Sequence, residues 1–323
     1  MARISRFGLS VSIVATIASA CGGASATPTP GATSAPTASP TAAPSIVATV
    51  PVDQLRFAGK LEICVDIPYP PQEMFDANGN PIGSDVEIGQ GIATRLGLQP
   101  EVINSVFDTI ITALTGGKCD VIVSAQNINP DRLGQVDMIP YFQAGQAFLV
   151  QVGNPENLQV VTDLCGKKVA AESGTTEMDN LSGTGDYAGA GLPATCAAAG
   201  KPAPVPQPFT KDPDALAALQ AGTADAYFAD LPPVIAYANG SSDKFMLAPI
   251  PQLEPAVEGI SVVKSSDPAK AHTELYDAVK TALLSMMSDG SYSAILTKYG
   301  DQSGAITPDV VNTPQVAPSP SAS

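Results

Sequence analysis

The chain has 323 residues, with 16 Lys and Arg against 31 Asp and Glu, so its formal net charge is −15 at pH 7. A charge of this sign argues against a nucleic-acid-binding protein, because phosphate contacts need clustered Lys and Arg. The single histidine excludes a site built on two histidines and leaves His272 as the only candidate for a His-based triad. Both ends of the chain are poor in charge, and without them a folded body of roughly 250 residues remains.

The first residues have the pattern of an export signal. Arg3 and Arg6 form a basic start, and residues 7–20 are an apolar stretch broken only by Ser and Thr. That run is shorter than the roughly 20 residues that a membrane-spanning helix needs. Small residues lead to Cys21, a pattern that resembles a bacterial lipoprotein signal, although Ala18 stands where Leu is usual. We expect a signal peptide over 1–20 and a lipid on Cys21; the alternative is an ordinary cleaved signal with an incidental Cys.

Low-complexity segments flank the body. Residues 21–52 are nearly all Ala, Thr, Pro, Ser and Gly, and the tail over 307–323 is similarly rich in Pro and Ser. Such segments cannot bury enough apolar surface to offset the entropy lost on ordering. We expect a disordered tether over 21–52 and a disordered tail over 307–323, neither of which carries chemistry.

Four cysteines remain in the body once Cys21 is set aside, namely Cys64, Cys119, Cys165 and Cys196. They have no CxxC spacing and no neighbouring histidine, so a zinc site is not predicted. In an exported protein disulfides are the default, and four cysteines allow three pairings. We expect these cysteines to be structural.

The first half of the body alternates strands and helices. β-branched apolar runs predict strands, whereas apolar residues at helical spacing that end at glycine predict helices. In chain order the pattern predicts a strand over 61–65, a helix over 86–96, a strand over 99–103, a helix over 109–114 and a strand over 120–123. Asp108 is expected to cap the second helix. This order predicts a mostly parallel sheet covered by helices, with binding loops after Val65 and Val123.

The same alternation restarts downstream. The predicted elements are a strand over 168–171, helices over 176–181 and 213–220, a strand over 226–228, a helix over 231–238, strands over 245–247 and 260–263, and a long helix over 268–288. We therefore expect an α/β protein with two lobes.

A series of motifs keeps its order and spacing from about residue 57 to residue 300. The blocks are Asp66-Ile67-Pro68-Tyr69-Pro70-Pro71, Asp76-Ala77-Asn78-Gly79, Phe107-Asp108-Thr109, Gly117-Lys118-Cys119-Asp120, Asn127-Ile128-Asn129-Pro130-Asp131-Arg132, Asp163-Leu164-Cys165-Gly166, Gly174-Thr175-Thr176-Glu177 and Ala224-Asp225-Ala226. Together they resemble the polar amino-acid solute-binding proteins of ABC importers, the bacterial extracellular solute-binding proteins of family 3.

The resemblance implies a type II periplasmic-binding-protein-like fold, in which two lobes of mostly parallel sheet flanked by helices are joined by two hinge crossovers. The crossovers are expected near 145–152 and 258–263. Lobe 1 then comprises 56–147 plus 260–306, and lobe 2 comprises 148–259. Because a bond between lobes would hinder closure, we expect the pairs Cys64–Cys119 and Cys165–Cys196; free buried cysteines are the alternative.

The resemblance also implies how an amino acid would be held between the lobes. Arg132 corresponds to the guanidinium that binds the ligand carboxylate, and Asp230 corresponds to the acid that receives the ammonium. Thr175 and Thr176 offer backbone N–H groups and hydroxyls to the carboxylate. The small or polar residues expected near the ammonium are Ala125 and Asn127. Purely structural roles are the alternative, since Arg132 can be a surface residue and Asp230 and Thr175 are good helix caps.

The ligand side chain is expected to lie between Tyr69 and Phe107, although Phe107 can also be a core residue. Asp66 matches a position that contacts polar or cationic side chains in relatives. Gln72 replaces a usual Phe, and Glu73 follows it. These residues favour a polar or cationic ligand over an acidic one, because an unpaired buried carboxylate pair is costly.

The predicted function is that of an extracytoplasmic receptor, lipid-anchored to the cell membrane and monomeric, that delivers a free L-amino acid to an ABC permease. No cofactor, metal, nucleic acid or catalytic residue is expected. One alternative is an enzyme of the cyclohexadienyl or arogenate dehydratase type on the same fold, with Glu73, Glu172 or Glu177 transferring protons. Another alternative is a ligand sensor that contacts a membrane receptor.

Overall fold

A computed structural model describes residues 45–267 and 269–315. The signal peptide, Cys21 and most of the tether lie outside the described residues. The strands are β1 (Lys60–Val65), β2 (Met74–Phe75), β3 (Pro81–Ile82), β4 (Gln99–Asn104), β5 (Val121–Ile122), β6 (Val136–Gln151), β7 (Lys168–Glu172), β8 (Val205–Phe209), β9 (Ala226–Asp230), β10 (Phe245–Leu247) and β11 (Leu253–Val263). The helices are α1 (Ser84–Arg95), α2 (Ile110–Thr115), α3 (Pro130–Gln135), α4 (Thr176–Ser182), α5 (Gly191–Ala198), α6 (Asp212–Gln220), α7 (Leu231–Gly240), α8 (Glu274–Ser288), α9 (Ser291–Tyr299) and α10 (Pro308–Asn312).

The strands form two parallel groups on either side of two long strands. The order is β4-β1-β5-β11-β6-β9-β7-β8, and β10 also pairs with β6. β4, β1 and β5 are parallel in one lobe, and β8, β7 and β9 are parallel in the other. β6 pairs with β11 as far as Gln146 and with β9 from Gln146 onward. The two-lobe α/β fold is therefore confirmed, and β6 and β11 are the strands that cross between the lobes.

Each lobe has its own apolar core. One core packs α1 and α8 against β1, β5 and the start of β6, with residues such as Ile63, Ile92 and Leu283 fully buried. In the other lobe, Phe148 and Phe228 stack with their ring centroids 4.1 Å apart. Disulfides join Cys64 to Cys119 and Cys165 to Cys196, so each lies within one lobe and leaves the lobes free to move apart. These are the pairs that the resemblance implied.

The predicted disorder was wrong at the inner ends of both flanking segments. The Val47 N–H donates to the Arg95 carbonyl at 2.8 Å, and Val50 packs against the core of the first lobe. Near the other end, Val311 of α10 is 1% exposed. Composition does not predict these contacts. A few apolar residues in a polar segment can be ordered when burying them against a neighbouring core offsets the entropy lost.

Two local predictions were also wrong. The long helix begins at Glu274 rather than at residue 268, because the Thr273 hydroxyl accepts a hydrogen bond from the Tyr276 N–H and caps it. Asp108 does not cap α2, since it lies inside a 3₁₀ turn over Phe107–Thr109 that precedes that helix. Among the described residues, no helix is long and apolar enough to cross a membrane.

Candidate functional site

A pocket lies where the parallel strands of the two lobes end. The carboxyl ends of such strands are the usual position of a ligand site in α/β proteins. Residues from both lobes line it, and they are Asp66, Tyr69, Glu73, Phe107, Ser124, Ala125, Asn127, Arg132, Glu172, Thr175, Thr176, Glu177 and Asp230. All nine residues that the resemblance implied for ligand binding are in this set. Their role as ligand contacts stays a prediction.

Arg132 is the only cationic residue among those that line the pocket. It is 7% exposed, and its guanidinium donates to the Asn127 carbonyl at 2.8 Å and to the Gly174 carbonyl of the other lobe at 3.1 Å. The guanidinium lies 5.3 Å from the centre of the Phe107 ring. A guanidinium has five N–H donors, so donors remain after these two bonds. Burial lowers the pKa of Arg132, and the charges of Glu177 and Asp230 oppose that effect.

Asp230, at the end of β9, faces Tyr69 across the cleft. The Tyr69 hydroxyl donates to Asp230 Oδ2 at 3.0 Å and accepts from the Asp230 N–H at 3.1 Å. Although Asp230 precedes α7, its carboxylate makes no capping bond. Oδ1 of Asp230 and Oε1 of Glu177 are buried without a hydrogen-bond partner in the described part of the chain. Burial and the nearby Glu177 raise the pKa of Asp230 well above its ordinary value.

The two threonines have different surroundings. Thr175 caps α4, since its hydroxyl accepts from the Met178 N–H at 3.2 Å and donates to the Glu172 carbonyl at 2.7 Å. Thr176 donates its hydroxyl to Asn127 Oδ1 at 2.8 Å, which is a further bond between the lobes. Asn127 Nδ2 is buried without a partner among the described residues. Asn127 therefore has N–H donors left, whereas the one hydroxyl proton of Thr175 is already donated to the Glu172 carbonyl.

Asp66 follows β1, and both of its carboxylate oxygens have partners within the protein. Oδ2 accepts from the Phe107 N–H at 2.5 Å, and Oδ1 accepts from the ammonium of Lys211, which belongs to the other lobe. Glu172, at the end of β7, lines the same part of the pocket, and its Oε1 has no partner in the described chain. Burial raises the pKa of Glu172 to about 10, with repulsion from Asp66 as a further cause.

Glu73 lines the pocket, and neither of its carboxylate oxygens has a hydrogen-bond partner among the described residues. It is 1% exposed. Burial raises its pKa well above the ordinary value, and repulsion from Asp85 and Asp66 adds to that effect. Gln72 does not line the pocket, because its amide donates to Glu258 Oε2 of β11 at 3.0 Å.

Four lining residues were not among the predicted ligand contacts, namely Glu73, Ser124, Glu172 and Glu177. Glu172 and Glu177 were predicted only as proton-transfer groups of the alternative enzyme, whereas Glu73 was also expected to favour a polar or cationic ligand. Ser124 follows β5, and its hydroxyl accepts a bond from the Asp66 N–H at 2.9 Å. Its place directly after a predicted strand was the signal that could have found it. Within the described ranges, no group of three or more His, Cys, Asp or Glu has the arrangement of a metal site.

Residues 61–302 match the bacterial extracellular solute-binding proteins, family 3. The chain belongs to this family. The match covers the strands and helices of both lobes and confirms the resemblance that the motifs indicated. As a member of the family, the chain is a solute-binding protein whose pocket is built from both lobes.

Two relatives from Escherichia coli strain K12 illustrate the similarity. The putative ABC transporter arginine-binding protein 2 is 26% identical over 243 residues, which cover 75% of this chain and 91% of the relative. The match to ABC transporter arginine-binding protein 1 is 29% identical over 120 residues, and it spans 37% of this chain and only 48% of that protein. A solved structure of an ancestral arginine-binding protein bound to arginine is 29% identical, with a TM-score of 0.64, and covers 75% of this chain and 98% of that one.

Proposed function

We propose that this family-3 solute-binding protein takes up a free L-amino acid with a cationic side chain and presents it to an ABC permease outside the cytoplasm. The observation that carries the proposal is the charge pattern of the pocket. One buried guanidinium lies among five carboxyl side chains, those of Asp66, Glu73, Glu172, Glu177 and Asp230. Such a ligand brings one negative and two positive groups, and the pocket offers the opposite excess.

The two charged groups common to all amino acids have partners at one end of the pocket. The remaining N–H groups of Arg132 and the free Nδ2 of Asn127 suit a carboxylate. Asp230 Oδ1 and Glu177 Oε1 are acceptors without a partner in the described chain and suit the ammonium. These four side chains come from both lobes, so the ligand would hold the lobes together.

The other end of the pocket suits a cationic side chain. Glu73 has two carboxylate oxygens without a described partner, and Glu172 has one. Tyr69 and Phe107 supply aromatic surface against which the apolar part of a long side chain can pack. An acidic side chain would bring a further negative charge against these carboxyls, which is unfavourable in a buried site. The arginine-binding relatives support the same ligand class.

Thermal unfolding of the mature protein, with its disulfides intact, tests this function. The twenty L-amino acids, ornithine and citrulline are each added, and a ligand at 100 times its Kd should stabilise the protein by about 2.7 kcal/mol. We expect the largest rise in Tm with arginine, lysine or ornithine and none with glutamate. A response to acidic amino acids alone, or to no amino acid, would contradict the proposal.

We propose that the protein is a receptor and has no enzymatic activity, although the pocket glutamates leave proton transfer as the alternative chemistry. Incubation with prephenate or arogenate tests this directly, since a dehydratase of the predicted type would release phenylpyruvate or phenylalanine. We expect no product above the buffer control. Turnover that is lost in Glu73→Gln would favour the enzyme.

We further propose that the protein is monomeric and is anchored to the cell membrane by a lipid on Cys21, as the signal sequence suggests. Metabolic labelling with a radioactive fatty acid tests the anchor. Label is expected on the wild type and not on Cys21→Ala, which should be released into the medium. Labelling of both proteins would contradict the assignment to Cys21.

A further inference from the structure

Lys211 brings a positive charge to the edge of the pocket from the far side of the cleft. It directly precedes α6 in the lobe that contains β7–β9, and its ammonium contacts three residues of the lobe that contains β1 and β4. It donates to the Asp66 carboxylate, to the Ser105 carbonyl at 2.8 Å and to Asn104 Oδ1 at 3.5 Å. The Lys211 side chain is 26% exposed, whereas that of Asp66 is 5% exposed. The ion pair is therefore largely shielded from water, and three acceptors of the lobe that contains β1 and β4 hold the Lys211 ammonium in place.

This contact changes what Asp66 can offer a ligand. One Asp66 oxygen accepts from the Phe107 N–H and the other from the Lys211 ammonium, so the charge of Asp66 is already paired before a ligand cation binds. Glu73 and Glu172 line the same pocket and have carboxylate oxygens without a described partner. The carboxyl groups open to a ligand side chain are therefore chiefly those of the two glutamates, and Lys211 repels any second cation nearby.

We propose that Lys211 is a specificity-determining residue that lowers the preference of the pocket for a cationic over a neutral polar side chain of the same shape. The inference rests on the proposed function, since it assumes that an amino acid lies between Arg132 and the glutamates. Lys211 acts at two points. It neutralises Asp66, and it places a fixed positive charge beside the site of the ligand's side-chain cation. The pocket consequently tolerates neutral ligands that an unopposed set of carboxylates would reject.

The test is a ratio of two dissociation constants. Arginine and citrulline have nearly the same shape and differ in side-chain charge, so the ratio of the citrulline Kd to the arginine Kd reports charge preference. It is measured by titration calorimetry on the mature wild type and on Lys211→Met. We expect the ratio to rise about tenfold in the variant, because the repulsion is removed and Asp66 is freed. Any loss of lobe closure weakens both ligands alike and leaves the ratio unchanged.

Three further variants isolate the cause. Lys211→Gln should raise the ratio as Lys211→Met does, and it serves as the second neutral variant should Lys211→Met fold poorly. Asp66→Asn in the Lys211→Met background should return the ratio toward the wild-type value, since the freed carboxylate is then absent. Lys201→Met is the matched control, because Lys201 lies in the same lobe, is 44% exposed and donates to the Thr162 carbonyl at 2.9 Å. Its ratio should equal that of the wild type.

The outcomes separate this inference from the proposed function. A ratio that is unchanged or lower in both neutral Lys211 variants, with arginine still bound, overturns the inference alone. A wild type that binds neither arginine nor citrulline overturns the proposed function and this inference with it.

Discussion

Arg132 is the residue on which ligand binding is expected to depend most. Its guanidinium is held by carbonyls of both lobes and is the only cation that lines the pocket. A hydrogen bond to a charged group contributes about 1.5–3 kcal/mol, and a carboxylate held by two N–H groups uses two such bonds. We expect Arg132→Ala to weaken amino-acid binding at least about a hundredfold and Arg132→Lys to recover only part of it, since an ammonium lacks the planar fork.

Titration calorimetry measures both constants. Arg56→Ala is a suitable control, because the Arg56 side chain is 41% exposed and pairs with Glu62 away from the pocket. An affinity of Arg132→Ala that stays within tenfold of the wild type would show that the ligand carboxylate binds elsewhere.

Asp230 should couple ligand binding to protons. Burial and the nearby Glu177 raise its pKa well above the ordinary value, which favours the protonated carboxyl when the lobes are closed without a ligand. A ligand ammonium needs the ionised carboxylate, so binding releases a proton and the affinity rises with pH, by up to about tenfold per pH unit for one linked proton. Calorimetry in phosphate and in Tris at pH 7 measures the release as a difference in apparent enthalpy. Asp230→Asn should bind the amino acid weakly and release fewer protons on binding. Equal apparent enthalpies for the wild type in the two buffers would contradict the coupling.

At the scale of elements, two buried acids lie beside the crossing strands β6 and β11, namely Asp85 of α1 and Glu258 of β11. Tyr141 of β6 lies with its hydroxyl 2.7 Å from Asp85 Oδ2 and 3.2 Å from Glu258 Oε2 of β11. One hydroxyl proton cannot serve two carboxylates at once. Burial raises the pKa of Asp85 to about 7 and that of Glu258 well above its ordinary value, which favours a proton shared between the two carboxyls. The Ala125 N–H, which also donates to Asp85 at 2.8 Å, links these strands to the pocket wall.

Asp301, which follows α9, makes the stability of the ligand-free protein depend on pH. Its carboxyl is 2% exposed and accepts from the Ser84 hydroxyl at 2.6 Å, and burial raises its pKa from 3.8 to about 6. Because the folded state holds the proton more tightly, the stabilisation is complete below about pH 4 and is lost as the pH rises through about 6. The loss attributable to this group is about 2–3 kcal/mol. In urea unfolding at pH 5 and pH 8, Asp301→Asn should lose less stability than the wild type, and parallel losses would contradict the assignment.

At the scale of the whole molecule, the pocket carboxyls oppose closure of the lobes. Asp66 and Glu73 belong to one lobe, whereas Glu172, Glu177 and Asp230 belong to the other. When these groups are ionised, closure brings like charges together in a buried space, and a cationic ligand offsets that repulsion. The bonds that cross the cleft, such as Tyr69–Asp230 and Asn127–Thr176, form only when the lobes are closed.

We therefore expect the radius of gyration of the ligand-free protein, measured by small-angle X-ray scattering, to decrease when arginine is added at pH 8. It should also decrease without ligand when the pH is lowered from 8 to 5, since protonation removes the same repulsion. Glutamate at pH 8 serves as the control and should cause no change. A radius of gyration that changes neither with arginine nor with pH would show that the charges of the pocket carboxyls do not govern closure of the lobes.

Local sequence patterns missed the long crossing strand β6, the edge strand β8 and the short helices α3 and α5. They did locate the other parallel strands and most of the longer helices, and the ordered motifs identified the family. Short-range physics explains this success, because glycine stops, apolar periodicity and strand ends such as those before Asp66 and Asp230 are set by neighbours in the chain. The nine predicted contacts came from the family resemblance, and all of them line one pocket at the edge where the parallel strands end.

Only the tertiary structure decided how the charges of the site are paired. Asp66 and Lys211 are 145 residues apart, and nothing local to either predicts their ion pair. The Gln72 side chain points away from the pocket because its amide donates to Glu258 of β11. That strand is distant from Gln72 in the sequence, so local patterns do not predict this contact either. Burial is a property of the folded molecule. A buried carboxylate without a partner destabilises the protein, and a cation beside it offsets that free-energy cost. The sequence, together with its family resemblance, thus indicated the fold class and the residues around the pocket, whereas the assembled lobes determined which of its charges are left for a ligand.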